Sequence, residues 1–555
     1  MAKVLLTHLL VYLVLAVDAA VFAGEMLYNG IELPDQWPPN YGEPTGEPQP
    51  VPYQSSPPDV IPIDVGRQLF VDDFLIEYTT LQRTFHRGTM YPANPVIHAA
   101  PYSGGVWYDM RDEMFKIWYN AGGSLGYATS QDGIHWEKPA LDVVDGSSAV
   151  LRHVVRWDPQ GTPMNCDSTS VWIDYEEDDP SKRYKYFVTY LWPNNVNDFF
   201  LSLRYSADGT HWGEPVATSW RLVGDHTTAH YNPFRKKWIA NIRYHHGSDN
   251  RCRAYLENRD PEELTWRAKE AREVLPVSDR PSEERIVPWL AADRLDPHNP
   301  RPVATKIRPQ LYHFDALAYE SLMLGFFTVH QGPPNKECDR LGIPKRNEVV
   351  VGYSRDGFHF DRPNRRPLLP AVEEEDAWNW GNVQSSGGAC LVVGDQLYLY
   401  YNGVGLGENR GRKTGLVFLR RDGFASMGSI RDEGILTTRP VRFGGKYLFI
   451  NADCDQGELC VEVLDKDGKV VRPFTKDNCV PVMVDKTLAR VEWKGAEDLS
   501  GLAGEPVQFR FSLRLGELYS FWVSPDKSGA SYGYVGAGGP GYTSFVDTVG
   551  EGAIR

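Results

Sequence analysis

Gly126-Tyr127-Ala128-Thr129-Ser130-Gln131-Asp132-Gly133-Ile134-His135-Trp136 is followed further along the chain by Arg204-Tyr205-Ser206-Ala207-Asp208-Gly209-Thr210-His211-Trp212. A third copy reads Gly352-Tyr353-Ser354-Arg355-Asp356-Gly357-Phe358-His359-Phe360. Each reads as a hairpin: a strand with alternating apolar residues, an Asp-Gly turn whose glycine tolerates positive φ, and an aromatic residue that packs back on the sheet. Two weaker copies, Asn258-Arg259-Asp260-Pro261 leading to Trp266 and Leu419-Arg420-Arg421-Asp422-Gly423-Phe424, bring the tally to five. Self-similarity of this kind sets the architecture before any single element does.

Further strand-like runs lie between the copies: 114–119, 184–190, 237–242, 322–327 and 396–401. That leaves roughly four strands per unit, the make-up of a propeller blade. Helical periodicity is weak outside Pro261 to Val274. From about Ser429 the pattern changes to short, closely spaced strands (436–443, 447–450, 459–463, 489–493, 507–513, 518–522) separated by turn signals, which reads as a β-sandwich. The fold class expected is all-β, a five-bladed β-propeller over 61–428 followed by a C-terminal β-sandwich over 429–530 and a Gly-rich segment over 531–555.

The first residues carry an export pattern. Lys3 precedes an apolar run from Leu5 to Val17, and Val21-Phe22-Ala23 resembles a cleavage site, so residues 1–23 are expected to be a signal peptide. The run is shorter than the ~20 residues that span a bilayer, which excludes a membrane span after cleavage from the expectation. Residues 24–60 are rich in proline and read as a tether or a segment lying across the surface. The expected location is secreted or periplasmic. A net charge of -15 argues against nucleic acid or an anionic membrane as partner and is compatible with a carbohydrate.

The seven cysteines contain no CxxC pair, which disfavours zinc. Cys454 and Cys460 could form a disulfide with Cys479 as competitor, against the alternative of buried free thiols. No cofactor and no catalytic metal are expected; a structural calcium is left open. An aromatic content of 12% suits both β-rich cores and clefts that stack sugar rings.

These residues resemble the five-bladed propeller glycosidases, including glycoside hydrolase families 32, 43 and 117, in which a Ser-x-Asp-Gly-x-x-Trp hairpin often ends a blade. Arg67-Gln-Leu-Phe-Val-Asp-Asp-Phe-Leu-Ile76, Asn94-Pro95-Val96 and the trailing sandwich, similar to that of family 32, strengthen the likeness. The invertase phrase Trp-Met-Asn-Asp-Pro-Asn-Gly is absent, and no subfamily is assigned. The resemblance implies that catalytic acids lie near the starts of the innermost strands, around a central funnel.

Cleaving a glycosidic bond takes a protonated carboxylic acid at the leaving oxygen and a carboxylate across the sugar. Four acids stand in suitable contexts. Asp73, preferred slightly over Asp72, lies in the apolar run Phe70–Phe74; Asp167 precedes the strand ending at Trp172; Asp225 stands beside His226; and Glu320 is flanked by apolar residues whose desolvating effect suits a general acid. Glu320 is the expected acid, with Asp73, Asp167 or Asp225 as base or nucleophile. His226, His313, His330, Gln331, Trp378, Trp380 and Asn382 are expected to contact sugar by stacking and hydroxyl hydrogen bonds. The functional expectation is an exported glycosidase. A glycoside phosphorylase, which would need basic residues converging on a phosphate, and a non-catalytic carbohydrate-binding propeller are the alternatives.

Overall fold

The repeated phrase folds as a clasp. In the computed structural model, which describes residues 24–99, 105–121, 123–153, 166–192, 195–219, 223–246, 250–268, 286–302, 306–430 and 432–554, the Gly133 amide donates to Ser130 Oγ at 2.9 Å. The amides of Ile134 and His135 both donate to Asp132 Oδ1 at 2.8 Å, and His135 Nδ1 meets Asp132 Oδ2 at 2.7 Å. The copies at Ser206–His211 and Ser354–His359 repeat these bonds. Gly133, Gly209 and Gly357 stand at φ +75°, +78° and +81°, the left-handed region that a side chain resists. Burial alone would raise the three Asp carboxyls, yet the converging amides and imidazoles hold them below the usual range.

The clasps are also where neighbouring sheets meet. Trp118 Nε1 donates to the Gly209 carbonyl at 2.7 Å, Trp289 Nε1 to that of Phe358 at 2.8 Å, and Tyr400 OH to that of Gly133 at 2.5 Å. A Cβ on Gly209 would stand 2.6 Å from the Trp118 ring, so glycine serves the contact as well as the turn.

The chain is all-β, 45% strand and 7% helix. Among the described residues it forms six four-stranded antiparallel sheets, five of which follow one another through the repeat region. The first holds Val106–Asp109, Met114–Asn120, Ser124–Ser130 and Ala149–Arg152; the second Cys166–Ile173, Tyr184–Trp192, Asn195–Ser206 and Ala217–Thr218; the third Thr228–Asn232, Lys237–His246, Asn250–Asn258 and Val287–Ala291. The fourth holds Gln310–Glu320, Leu322–Gly332, Arg346–Ser354 and the late strand Tyr534–Val535. The fifth holds Gly381–Val393, Gln396–Val404 and Arg412–Arg420, completed by the early strand Thr89–Met90. The first strands of the second to fifth sheets pack against one another in turn, and that of the fifth packs on Val106–Asp109 of the first.

Two further sheets face each other across a core that includes Phe70, Ile450, Val461, Phe509, Phe511 and Phe521. One contains Asp485–Arg490, Tyr447–Asp453, Gly516–Ser524, Ala425–Ser429 and Gln82–Phe85, with Gln68–Leu69 paired on Gly516–Ser524; the other contains Glu458–Leu464, Gln508–Arg514, Gly434–Thr438 and Ile76–Thr79. Residues 68–85 thus belong with the C-terminal sheets, whereas the sequence reading places them in the repeat region. The expected boundary at 429 shifts for the same reason, since Ala425–Ser429 pairs with Gln82–Phe85.

Other expectations change in detail. Arg259-Asp260-Pro261 starts a helix, Pro261–Arg267, rather than a hairpin, because Asp260 accepts from the Glu262 amide as an N-cap and proline suits the first turn. The proline-rich segment buries Leu27, Ile31, Leu33, Trp37 and Tyr53 and so lies on the surface as a covering strap. All seven cysteines are free; Cys454 follows a strand of one C-terminal sheet while Cys460 sits in a strand of the other. The expected signal peptide, 1–23, lies outside the described residues. Among the described residues no helix is long and apolar enough to cross a membrane.

Candidate active site

Three of the first strands present acidic or histidine side chains at the same end. Asp167 is the second residue of Cys166–Ile173, Asp225 and His226 directly precede Thr228–Asn232, and His313 is near the start of Gln310–Glu320. The His226 amide donates to Asp167 Oδ2 at 2.6 Å, which ties the second sheet to the turn before the third. His226, at φ +54°, holds a left-handed conformation uncommon for a residue other than glycine. A ligand atom from each of Asp167, Asp225 and His226 lies within 4.8 Å of the others.

Cations surround this trio. Arg243 pairs with Asp225. Arg253 sits opposite Arg243 across the strand pair and spends both Nη atoms on carbonyls, those of His226, at 2.9 Å, and Tyr312. Arg251 and Lys345 lie over the Tyr312 ring at 5.0 and 4.4 Å, and Lys345 Nζ also donates to Tyr312 OH at 2.8 Å. The His226 ring packs 4.6 Å from that of Tyr312 and 5.4 Å from that of His313.

Crowded positive charge shows in the titrations. Burial, reinforced by Arg251 and Arg253, pushes the Arg243 guanidinium down to about 9. Burial likewise brings Arg253 to about 10, against partial support from nearby Cys252 and Asp315. His226 is driven well below its ordinary value by burial and then by His313 and Arg253, so its ring is neutral at physiological pH. Burial, with Lys345 and Arg251, takes His330 down to about 3. Asp167 moves the other way: burial raises its carboxyl and outweighs the His226 amide and the cations Arg243, Lys345 and Arg253.

Of the other residues anticipated from sequence, His330 Nδ1 bonds Asn347 at 2.8 Å, and Asn347 reaches Asn382 at 2.8 Å, placing both at the rim of this cluster. His313 Nε2 meets Asp315 at 2.9 Å, and Ser385 donates to the same carboxylate at 2.6 Å. Gln331 is occupied by Arg346 and Glu348, at 2.8 and 2.7 Å. Trp378 packs on Tyr401 at 5.4 Å, and Trp380 lies beneath the Arg301 guanidinium at 3.5 Å. Gln331, Trp378 and Trp380 therefore serve neighbouring packing networks.

Glu320 and Asp73 stand elsewhere. Glu320 ends the strand on which Tyr312 and His313 begin; eight residues at ~3.3 Å each put it roughly 25 Å away. Its carboxylate is fully buried and takes the Arg67 amide at 3.1 Å, Ser531 Oγ at 2.7 Å and Arg421 Nη2 at 3.0 Å. Asp73 is not in a strand: it lies in a turn, 73% exposed, paired with Arg83 at 2.6 Å. Its neighbour Asp72 is buried in a two-pronged pair with Arg355. The structure brings Asp167, Asp225, His226 and His313 together and leaves Glu320 and Asp73 apart from them.

Asp167, Asp225 and His226 have the donor atoms for a divalent cation, yet Arg243 already occupies Asp225, and four cationic side chains face three carboxylates, those of Asp167, Asp225 and Asp315. That balance disfavours a metal and favours an anion. The sequence reading missed Arg243, Arg251, Arg253, Tyr312 and Lys345. Their signal was Arg251-x-Arg253, a period of two that sets both on one face of a strand.

No protein-family model and no curated protein matches the chain. Solved structures match the chain over part of its length at low identity. They include an N-acetylgalactosamine deacetylase from F. plautii, crystallised with blood group B trisaccharide, at 14% identity and TM-score 0.39, covering 65% of this chain and 97% of that one. An endo-arabinase from Bacteroides thetaiotaomicron matches at 10% identity and TM-score 0.34, covering 60% and 97%. A member of glycoside hydrolase family 130, described with mannoside phosphorylases and hydrolases of β-1,2-mannosidic linkages in Candida mannan, matches at 14% identity and TM-score 0.36, covering 61% and 94%.

Proposed function

We propose that the five sheets are the blades of a β-propeller capped by a C-terminal β-sandwich, and that the chain is an exported glycosidase cleaving an oligo- or polysaccharide with Asp167 and Asp225. The observation that carries this reading is the meeting of the two carboxyls within 4.8 Å at the start of adjacent innermost strands, one of them half-buried with its carboxyl raised, the other paired with arginine.

Asp167 is the acid. Its carboxyl, raised by burial, gives a proton to the glycosidic oxygen as the bond to the anomeric carbon breaks. Asp225, oriented by Arg243, attacks that carbon with its carboxylate and forms a glycosyl ester. The Asp167 carboxylate then takes a proton from water, whose oxygen displaces Asp225 and releases the sugar. Two carboxyls this close fall on the side of retaining enzymes, where they stand ~5 Å apart, rather than inverting ones at ~6.5–9.5 Å. Neutral His226 and the rim residues His330 and Asn382 bind hydroxyls, and Tyr312 offers a ring face.

The anomeric configuration of the first-formed sugar, followed by proton NMR on a substrate found by glycan screening, tests the reading. Retention is expected. An inverted product would remove Asp167 and Asp225 as a nucleophilic pair.

A further inference from the structure

Arg243 and Arg253 face each other across two paired strands, a like-charge juxtaposition that destabilises a sheet when nothing neutralises it. Arg251 and Lys345 add two more positive charges over the Tyr312 ring. Against these four stand Asp167, whose charged form burial disfavours, Asp225, paired with Arg243, and Asp315, bonded to His313, so positive charge stays in excess. Several buried donors also remain without a partner among the described residues: Arg243 Nε, Arg251 Nη1 and Arg253 Nε. Arg67 and Arg421 also keep open guanidinium nitrogens, but three carboxylates match those two cations, whereas here the open donors coincide with positive charge in excess, which is where a ligand's acceptors belong. Guanidinium groups offer planar forks matched to oxyanions, and weak hydration makes them the preferred partners for such groups.

We propose that this end of the ring is an oxyanion receptor, in which Arg243, Arg251, Arg253 and Lys345 seat a carboxylate, sulfate or phosphate group beside Tyr312. The group is carried on the sugar or enters as free phosphate. As a property of the substrate it rests on the glycosidase reading; as a binding site it does not. With Arg253 fixed by its two carbonyl bonds, Arg251 and Lys345 are the adjustable members, and their charge governs capture.

Thermal unfolding and calorimetric titration of the full chain with glucuronate, a sulfated monosaccharide and inorganic phosphate, at constant ionic strength, test the receptor directly, with glucose as the neutral control. At least one oxyanion is expected to bind, glucose is not, and Arg251→Met and Lys345→Met are each expected to weaken that binding tenfold or more. No binding by any oxyanion, or binding unchanged in both variants, overturns the receptor. Glycan cleavage then separates the sources. Cleavage confined to uronic or sulfated glycans without phosphate places the group on the sugar. Phosphate-dependent cleavage of a neutral glycan, yielding a sugar 1-phosphate, identifies free phosphate. Phosphate-independent cleavage of a neutral glycan that Arg251→Met leaves unchanged counts against the receptor. If oxyanions bind as expected but no glycan is cleaved, the receptor stands and the glycosidase reading fails.

Discussion

Two clusters of charge lie at opposite ends of the strand Gln310–Glu320, and they differ in both burial and charge balance. At the far end, Glu320, Asp422 and Asp547 meet Arg67 and Arg421, every one of these side chains fully enclosed. Asp422 also accepts from Tyr319 OH and Ser520 Oγ, both at 2.6 Å, and the Arg67 guanidinium lies over the Trp522 ring at 4.1 Å. These residues come from the N-terminal strands, the fourth and fifth sheets, the C-terminal sheets and the final segment, so the cluster pins the parts of the chain to one another. At the near end, Asp225 and Arg243 keep 20% and 15% of their side-chain surface exposed, and positive charge is left in excess. A cluster whose arginines are matched by carboxylates holds a fold together, whereas one left with positive charge in excess is prepared for a ligand. A lone buried carboxyl in an apolar context does not tell the two apart.

That contrast can be broken by removing single members. Arg421→Met leaves Glu320 and Asp547 buried with one cation fewer, and we expect a loss of about 3–5 kcal/mol in urea unfolding, the usual cost of stranding a buried charge. A loss below about 1 kcal/mol would show that the cluster does not hold the parts together. Ser531→Ala takes one hydroxyl from Glu320, an expected cost of about 1–2 kcal/mol on the same assay. The equivalent step at the near end, Arg251→Met, relieves repulsion. Stability without ligand should stay within about 0.5 kcal/mol or rise, and a large loss would mean that the arginine is part of the framework.

The smallest effect concerns pH. The folded carboxyl of Asp167 is raised by burial, above its unfolded value of about 3.9. A group raised on folding favours the native state fully below its unfolded value and loses that contribution as pH rises through the folded one. Asp167→Asn should therefore gain stability relative to the parent between pH 5 and 8, as measured by melting temperature across that window. A variant that loses stability relative to the parent across it would place Asp167 among ordinary ionised surface acids.

Much of this was legible in the sequence, for physical reasons that also mark its limits. The Ser-x-Asp-Gly-x-His clasp is local: donors and acceptors lie within five residues, so three copies can be read directly. Asp167, Asp225 and His226 could be selected because each stands at the edge of an apolar strand. Strands 76–79 and 82–85 could not be assigned, since their partners lie some 350 residues on and no periodicity encodes such pairing. Asp260-Pro261 was misread because the same letters that make a turn also cap a helix. Glu320 stood in a setting identical in sequence to that of a general acid; its partners Arg67 and Arg421 are 253 and 101 positions distant and invisible to a local reading.

Hydrolysis by Asp167→Asn and Glu320→Gln, measured side by side on one cleavable glycan with folded protein quantified, tests the account most directly. It predicts that Asp167→Asn lowers kcat by about 10²–10⁴ while Glu320→Gln, once folded, keeps kcat within a few-fold of the parent. The reverse order, with Glu320→Gln inactive and Asp167→Asn unimpaired, would contradict it.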